Sequence, residues 1–172
     1  MTVTSAEANK LLKRLQDEYR SIANLEAQSM SFVAAVGEDI ETVRPEYDFA
    51  ATDKALEELN LKIRTIKHAV NLFNTTHTVP GFDVTVDEML VLLPQMNQKL
   101  IKLASMKNTL PKTRANDGYR SSSGSIIEYK YANYDIAEVK AEYDRLSEEV
   151  AAAQLALDTL NTTVKFDIPA EL

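Results

Sequence analysis

His68 and His77 are the only imidazoles in the chain, and there is no cysteine. The missing thiols exclude disulfides, cysteine nucleophiles and Cys-ligated metals. A histidine catalyst needs a partner within hydrogen-bond reach, and a helical di-iron centre needs inward-pointing Glu-x-x-His pairs. No Glu stands three residues before either His; the residues there are Thr65 and Asn74. Arg64 and His68 are spaced one residue too closely for the Arg–His motif of helical ribonucleases. His68 reads as a structural or surface residue, and His77, among threonines, as a solvated loop residue.

Carboxylates are the other candidates for chemistry. Glu57/Glu58, Glu138/Glu142 and Asp144/Glu148 resemble the acidic sets that hold magnesium in helical nucleotide pyrophosphatases. They fall between apolar helical positions, where a solvated face is the simpler reading. No phosphate-binding loop, dinucleotide-binding turn, Gly-x-Ser-x-Gly or metalloprotease signature occurs. The sequence therefore predicts no catalytic, cofactor-binding or metal-binding residues, and a protein that is not an enzyme. A weak metal-dependent phosphohydrolase is retained as an alternative.

Charge is less evenly spread than chemistry. Lys99, Lys102, Lys107, Lys112, Arg114 and Arg120 oppose a single Asp117 between residues 99 and 120. Residues 135–172 hold nine acids and three bases. Such separation favours self-association or an acidic protein partner, and the six cations form the candidate interaction surface. A net charge of -7 and a pI near 4.9 argue against nucleic acid. Only Tyr119 is interleaved with the cations, too few aromatics for base stacking.

The elements that carry these residues are helical. Ile136, Val139, Tyr143, Leu146, Val150, Ala153, Leu157, Leu160 and Val164 alternate in steps of three and four. That seam must be buried against other helices. A first helix is predicted from Ser5, as N-cap, to Met30 or Val36, stopped by Gly37; its stripe is Ala8, Leu12, Leu15, Tyr19 and Ile22. Residues 37–50 form an acidic connection with a short extended piece. A second helix runs from about Ala51 or Asp53 to Phe73, ended by Asn74, with Leu56, Leu59, Ile63, Ile66 and Val70 inward. Pro80-Gly81 marks a turn, and Thr85-Val86-Asp87-Glu88 reads as a capping box. The third helix reaches Asn108, with a kink expected at Pro94. Residues 109–134 are irregular; Ile127, Tyr129 and Tyr131 alternate as a strand with one buried face, with Tyr119 as a candidate partner strand. Asp135 caps the fourth helix, which ends near Asn161 or Val164, and the tail beyond it, through Pro169 to Leu172, reads as loose. Helices two and four both end in Asn-Thr-Thr, which two related hairpins or two independent caps explain equally well.

The chain of 172 residues, 45% hydrophobic and 26% charged, with 4 Gly and 5 Pro, suits one domain of a mainly α class. The expected fold is an antiparallel bundle of four long helices with a small β-hairpin around 119–131. Residues 1–13 lack the apolar core of a signal peptide, and Met89–Leu93 is too short to span a bilayer. The expectation is a cytoplasmic protein with no membrane span. Apolar residues beside the seams, Leu25, Leu61, Leu72 and Ile101, predict a homo-oligomer.

Several segments resemble the septicolysin-like family of small bacterial helical proteins. They are Val70–Asn74 closing helix two, Val84–Leu90 opening helix three, and Tyr119–Val139, with Arg120-Ser121-Ser122 and Glu128-Tyr129-Lys130 inside it. Leu157-Asp158-Thr159 is similar to a late Leu-Asp-Thr of that family. The chain departs from the pattern in its acidic insertion at 37–50 and in Lys165-Phe166, where the family has Asn-Trp. The resemblance implies a helical-hairpin scaffold, and the family's label implies a membrane-active cytolysin-like alternative; it implies no catalytic residue. The function expected is a non-enzymatic scaffold or protein-interaction module.

Overall fold

Two Val-Thr-x-x-Glu segments, Val3–Glu7 and Val84–Glu88, each start a long helix. In both, the threonine hydroxyl accepts from the glutamate N–H at 3.2 Å, and the glutamate carboxylate accepts from the threonine N–H, at 2.9 Å for Thr4 and 2.7 Å for Thr85. Two otherwise orphaned donors are satisfied at each end. These bonds hold the Glu7 and Glu88 carboxyls below the usual carboxylate range.

The computed structural model describes residues 1–115 and 128–169. Among them the order is β1 (Thr2–Thr4), α1 (Ser5–Ser29), α2 (Ile40–Val43), α3 (Phe49–Thr76), α4 (Val86–Lys107), β2 (Lys112–Arg114), β3 (Tyr129–Tyr131), α5 (Ile136–Thr163) and β4 (Lys165–Asp167). The fold is mainly helical, with two small antiparallel sheets, β1–β4 and β2–β3. Contacts divide the chain into two units, residues 1–77 with 159 onward, and residues 78–158.

In the first unit α1 packs along α3. Val3, Ala8, Leu12, Leu15, Leu59, Ile66 and Ile168 form its buried cluster, with Tyr19, Ile22, Ile63 and Val70 packed against it. The predicted stripes are therefore those that face inward. Thr4, not Ser5, is the N-cap of α1, because its hydroxyl reaches the Glu7 N–H. The helix ends at Ser29 with Met30 as cap, so Gly37 does not stop it; Gly37 instead supplies a positive φ of 91° in the following turn. The piece expected to be extended contains one helical turn, α2, capped by Asp39. The segment is tethered to α1 by Tyr47, whose hydroxyl donates to Glu26 Oε1 at 2.7 Å.

The chain beyond α5 is not a loose tail as far as it is described. Thr2, Val3 and Thr4 pair with Asp167, Phe166 and Lys165. Ile168 is only 1% exposed. Three-residue strands carry little periodicity, which is why this sheet is invisible in the sequence.

In the second unit Val79, Val86, Met89, Leu93, Met96 and Leu103 are buried, as are Val139, Leu146, Val150, Ala153 and Leu157. All nine seam positions, eight on α5 and Val164 just beyond it, are buried or half-buried. Gly81 has φ 82°, and the Phe82 N–H donates to the Val79 carbonyl at 3.0 Å. Pro at the second and Gly at the third position of that turn is the type II pattern. Pro94 lies inside α4 and leaves the Leu90 carbonyl without its usual donor.

The Asn-Thr-Thr echo is structural. It forms the last three residues of α3 and of α5, each 28 residues long. Asn74 is thus helical, and His77 is the C-cap. Thr76 and Thr163 each donate at 2.7 Å to the carbonyl four residues back, Leu72 and Thr159. Two residues beyond each, Thr78 pairs with Thr85 and Lys165 pairs with Thr4. Both partners are the capping threonines, so each half repeats one plan: capped helix, connection, 28-residue helix, return to a capping threonine. A capped start, a 28-residue second helix, an Asn-Thr-Thr end and a return pairing to a capping threonine thus recur in the same order.

Candidate functional site

The residues with the most exposed chemistry lie after α4. α4 ends at Lys107 with Asn108 as its C-cap, and β2 pairs with β3 in register: Lys112 opposite Tyr131, Thr113 opposite Lys130, Arg114 opposite Tyr129. The ladder continues at both ends through Ala132 N–H to the Pro111 carbonyl and Ala115 N–H to the Glu128 carbonyl, at 3.1 and 2.8 Å. Opposite residues of an antiparallel pair share a face. One face therefore presents Lys112, Arg114, Tyr129 and Tyr131.

That face is open. Tyr129 is 46% and Tyr131 61% exposed, and Lys112 and Arg114 are exposed too. Lys112 Nζ sits 3.9 Å from the Tyr129 ring centre and 5.4 Å from that of Tyr131, with the rings 6.5 Å apart. The expectation of a buried strand face is corrected here: alternation shows which side chains share a face, not what covers it. The strand that pairs with Tyr129–Tyr131 is Lys112–Arg114; Tyr119, the expected partner, and Ile127 lie outside the described residues. The root of the ribbon is held by Tyr134, whose hydroxyl donates to the Met106 carbonyl at 3.0 Å.

The six predicted cations do not act as one set. Lys112 and Arg114 meet on the ribbon. Lys107 Nζ lies 3.3 Å from the Tyr143 ring centre. Lys102 is exposed. Lys99 donates to Glu142 Oε1 at 2.6 Å, and Arg145 donates to the same carboxylate at 2.8 and 3.0 Å. Those bonds, Arg145 first, lower the Glu142 pKa to about 2. Arg120 lies outside the described residues. Tyr129 and Tyr131 were missed as partners of the cations because they enter through pairing across a chain separation that composition does not show.

The carboxylates and histidines are arranged differently from a catalytic cluster. Glu142 is only 32% exposed at its side chain and is engaged by two cations, rather than free on a solvated face. Glu57, Glu58, Glu138, Asp144 and Glu148 are exposed. Among the described residues no group of three or more His, Asp or Glu is placed to hold a metal ion. His77 is half-buried rather than solvated: its ring stacks on Phe73 at 4.1 Å, and its Nδ1 lies 3.0 Å from the Phe73 carbonyl oxygen. His68 and His77 line a mostly apolar groove of about 350 Å³ with Leu72, Phe73, Phe166 and Pro169. His77 is spent on closing its own helix, and among the described residues no carboxylate or hydroxyl is hydrogen-bonded to His68.

No family model matches the chain, and no curated protein matches it significantly. It is similar to the crystal structure of a functionally unknown conserved protein from Corynebacterium diphtheriae. The TM-score is 0.60 over 97% of this chain and 100% of that one, at 18% sequence identity. At that identity the likeness shows the fold alone. No helix among the described residues is long and apolar enough to cross a membrane.

Proposed function

We propose that this chain is a non-enzymatic, cytoplasmic protein-interaction module, an antiparallel assembly of four long helices that displays the ribbon and binds an acidic protein segment on it. One observation carries the reading: Lys112 and Arg114 stand opposite Tyr131 and Tyr129, and all four side chains are exposed. Tyr and Arg are enriched where proteins bind proteins, because each buries apolar area and still offers directed donors. The cations give the face a local positive field on a chain whose net charge is -7. That overall charge repels a nucleic acid, whose charge is dense and continuous, more than a short acidic peptide.

The test is fluorescence anisotropy with a labelled peptide of Asp, Glu and Leu, a Lys-rich control and a single-stranded oligonucleotide. The acidic peptide binds, and Lys112→Ala/Tyr129→Ala weakens it by about tenfold or more, through the loss of one cation and one aromatic anchor. Tighter binding of the oligonucleotide, or equal binding by the double variant, removes the reading.

A further inference from the structure

We infer that the acidic segment captured by the ribbon is the connection between α1 and α3 of a second copy of this chain. The inference rests on the ribbon being a protein-binding surface and names its partner. Residues 37–50 hold Glu38, Asp39, Glu41, Glu46 and Asp48 against one Arg44, and all five acids are exposed. Four of them are engaged locally without being buried: Glu38 accepts from the Ala35 N–H, Asp39 from the Glu41 N–H and Asp48 from the Ala51 N–H, and Glu41 pairs with the Arg44 guanidinium at 2.9 Å, so five acids against one arginine leave the segment four net negative charges. Their negative charge remains available to an incoming cation.

The longer stretch from Met30 to Phe49, which includes the acidic residues, exposes apolar side chains that its own copy leaves uncovered. Val33 is 93% and Val36 109% exposed, and Met30 and Phe49 are 65% and 64% exposed. Phe32 is 39% exposed, with the Arg44 guanidinium 5.8 Å from its ring centre. An acidic surface with apolar side chains complements a basic surface with aromatic ones in both charge and hydropathy. Tyr129 and Tyr131 can cover Val33 and Val36 while Lys112 and Arg114 meet the carboxylates. Since the two surfaces differ, the contact is heterologous: each copy uses its ribbon on one neighbour and its connection on another. Such contacts close into a ring or run on as a chain.

Two charge reversals test this, chosen to spare the caps. Glu41→Lys/Glu46→Lys removes the net negative charge of the connection, leaving three acids against three bases, and Lys112→Glu/Arg114→Glu makes the ribbon acidic. By sedimentation equilibrium, the wild type exceeds the 19.2 kDa monomer mass increasingly with concentration. Each variant alone stays monomeric, with helix content unchanged by circular dichroism. Mixed one to one, the variants associate again, because the intact basic ribbon of one meets the intact acidic connection of the other. A monomeric wild type, or a mixture no heavier than its separate parts, overturns the inference. Acidic-peptide binding separates the two claims: if the wild type binds the peptide but stays monomeric, the ribbon reading stands and self-capture falls. If the peptide also fails to bind, both fall.

Discussion

Lys99 on α4 and Glu142 on α5 meet at 2.6 Å, and Arg145, one turn on, holds the same carboxylate. The bonds from Arg145 and Lys99 lower the Glu142 pKa from 4.5 to about 2. A carboxyl that is more acidic folded than unfolded adds stability above its unfolded pKa, and that stability fades as pH falls from about 4.5 towards 2. The expected outcome is a stability gap between wild type and Glu142→Gln that is present at neutral pH and shrinks through that window. Urea melts of both proteins across the pH range measure it; a gap of constant size shows that the cluster contributes nothing through ionisation.

Leu146 is 3% exposed in the middle of the α5 seam. Leu146→Ala removes buried surface and leaves a cavity, so unfolding free energy falls by about 2–5 kcal/mol. Chemical denaturation reads the loss. A value close to the wild type means that the seam repacks or does not support the fold.

Thr85 closes the capping box of α4 with its hydroxyl and its N–H. Thr85→Ala lowers stability by about 1 kcal/mol, while Thr85→Ser, which keeps the oxygen, retains most of it. Equal melting of the alanine and serine variants contradicts a hydroxyl-based cap. In the alanine variant the Glu88 pKa rises back towards its ordinary value, because the threonine side-chain bond is one of the two that lower it; NMR titration of the carboxyl detects this.

Ile168 follows β4 and is almost fully buried, in the cluster with Leu12, Leu59 and Ile66. Ile168→Ala is expected to cost about 2–5 kcal/mol, the range for a core isoleucine. Slower amide exchange at Val3 and Thr4 than in the variant reports the same strand. Unchanged exchange and unchanged melting place Ile168 outside the cooperative core.

The helices were legible because their signals are local. A capping box such as Thr85 to Glu88 uses atoms within one turn, and a seam such as Val139 to Leu160 repeats at the helical period, so neither depends on distant residues. Ends were less legible: Asn74 suits a left-handed C-cap, yet α3 continues to Thr76, where the threonine hydroxyls and His77 take up the last carbonyls.

The sequence by itself determined which residues face inward on the long helices, since apolar side chains at a 3.6-residue period define a face before any partner is known. It also determined a basic stretch and an acidic connection. Tertiary structure decided the pairings. Three residues of β1 find three of β4 at the far end of the chain, and Lys112 and Arg114 acquire Tyr131 and Tyr129 as neighbours. The physical reason is that strand pairing is specified by hydrogen bonds between separate segments, whose register follows from what each face meets. The ribbon face that carries the proposed function therefore exists only once Lys112–Arg114 and Tyr129–Tyr131 are side by side.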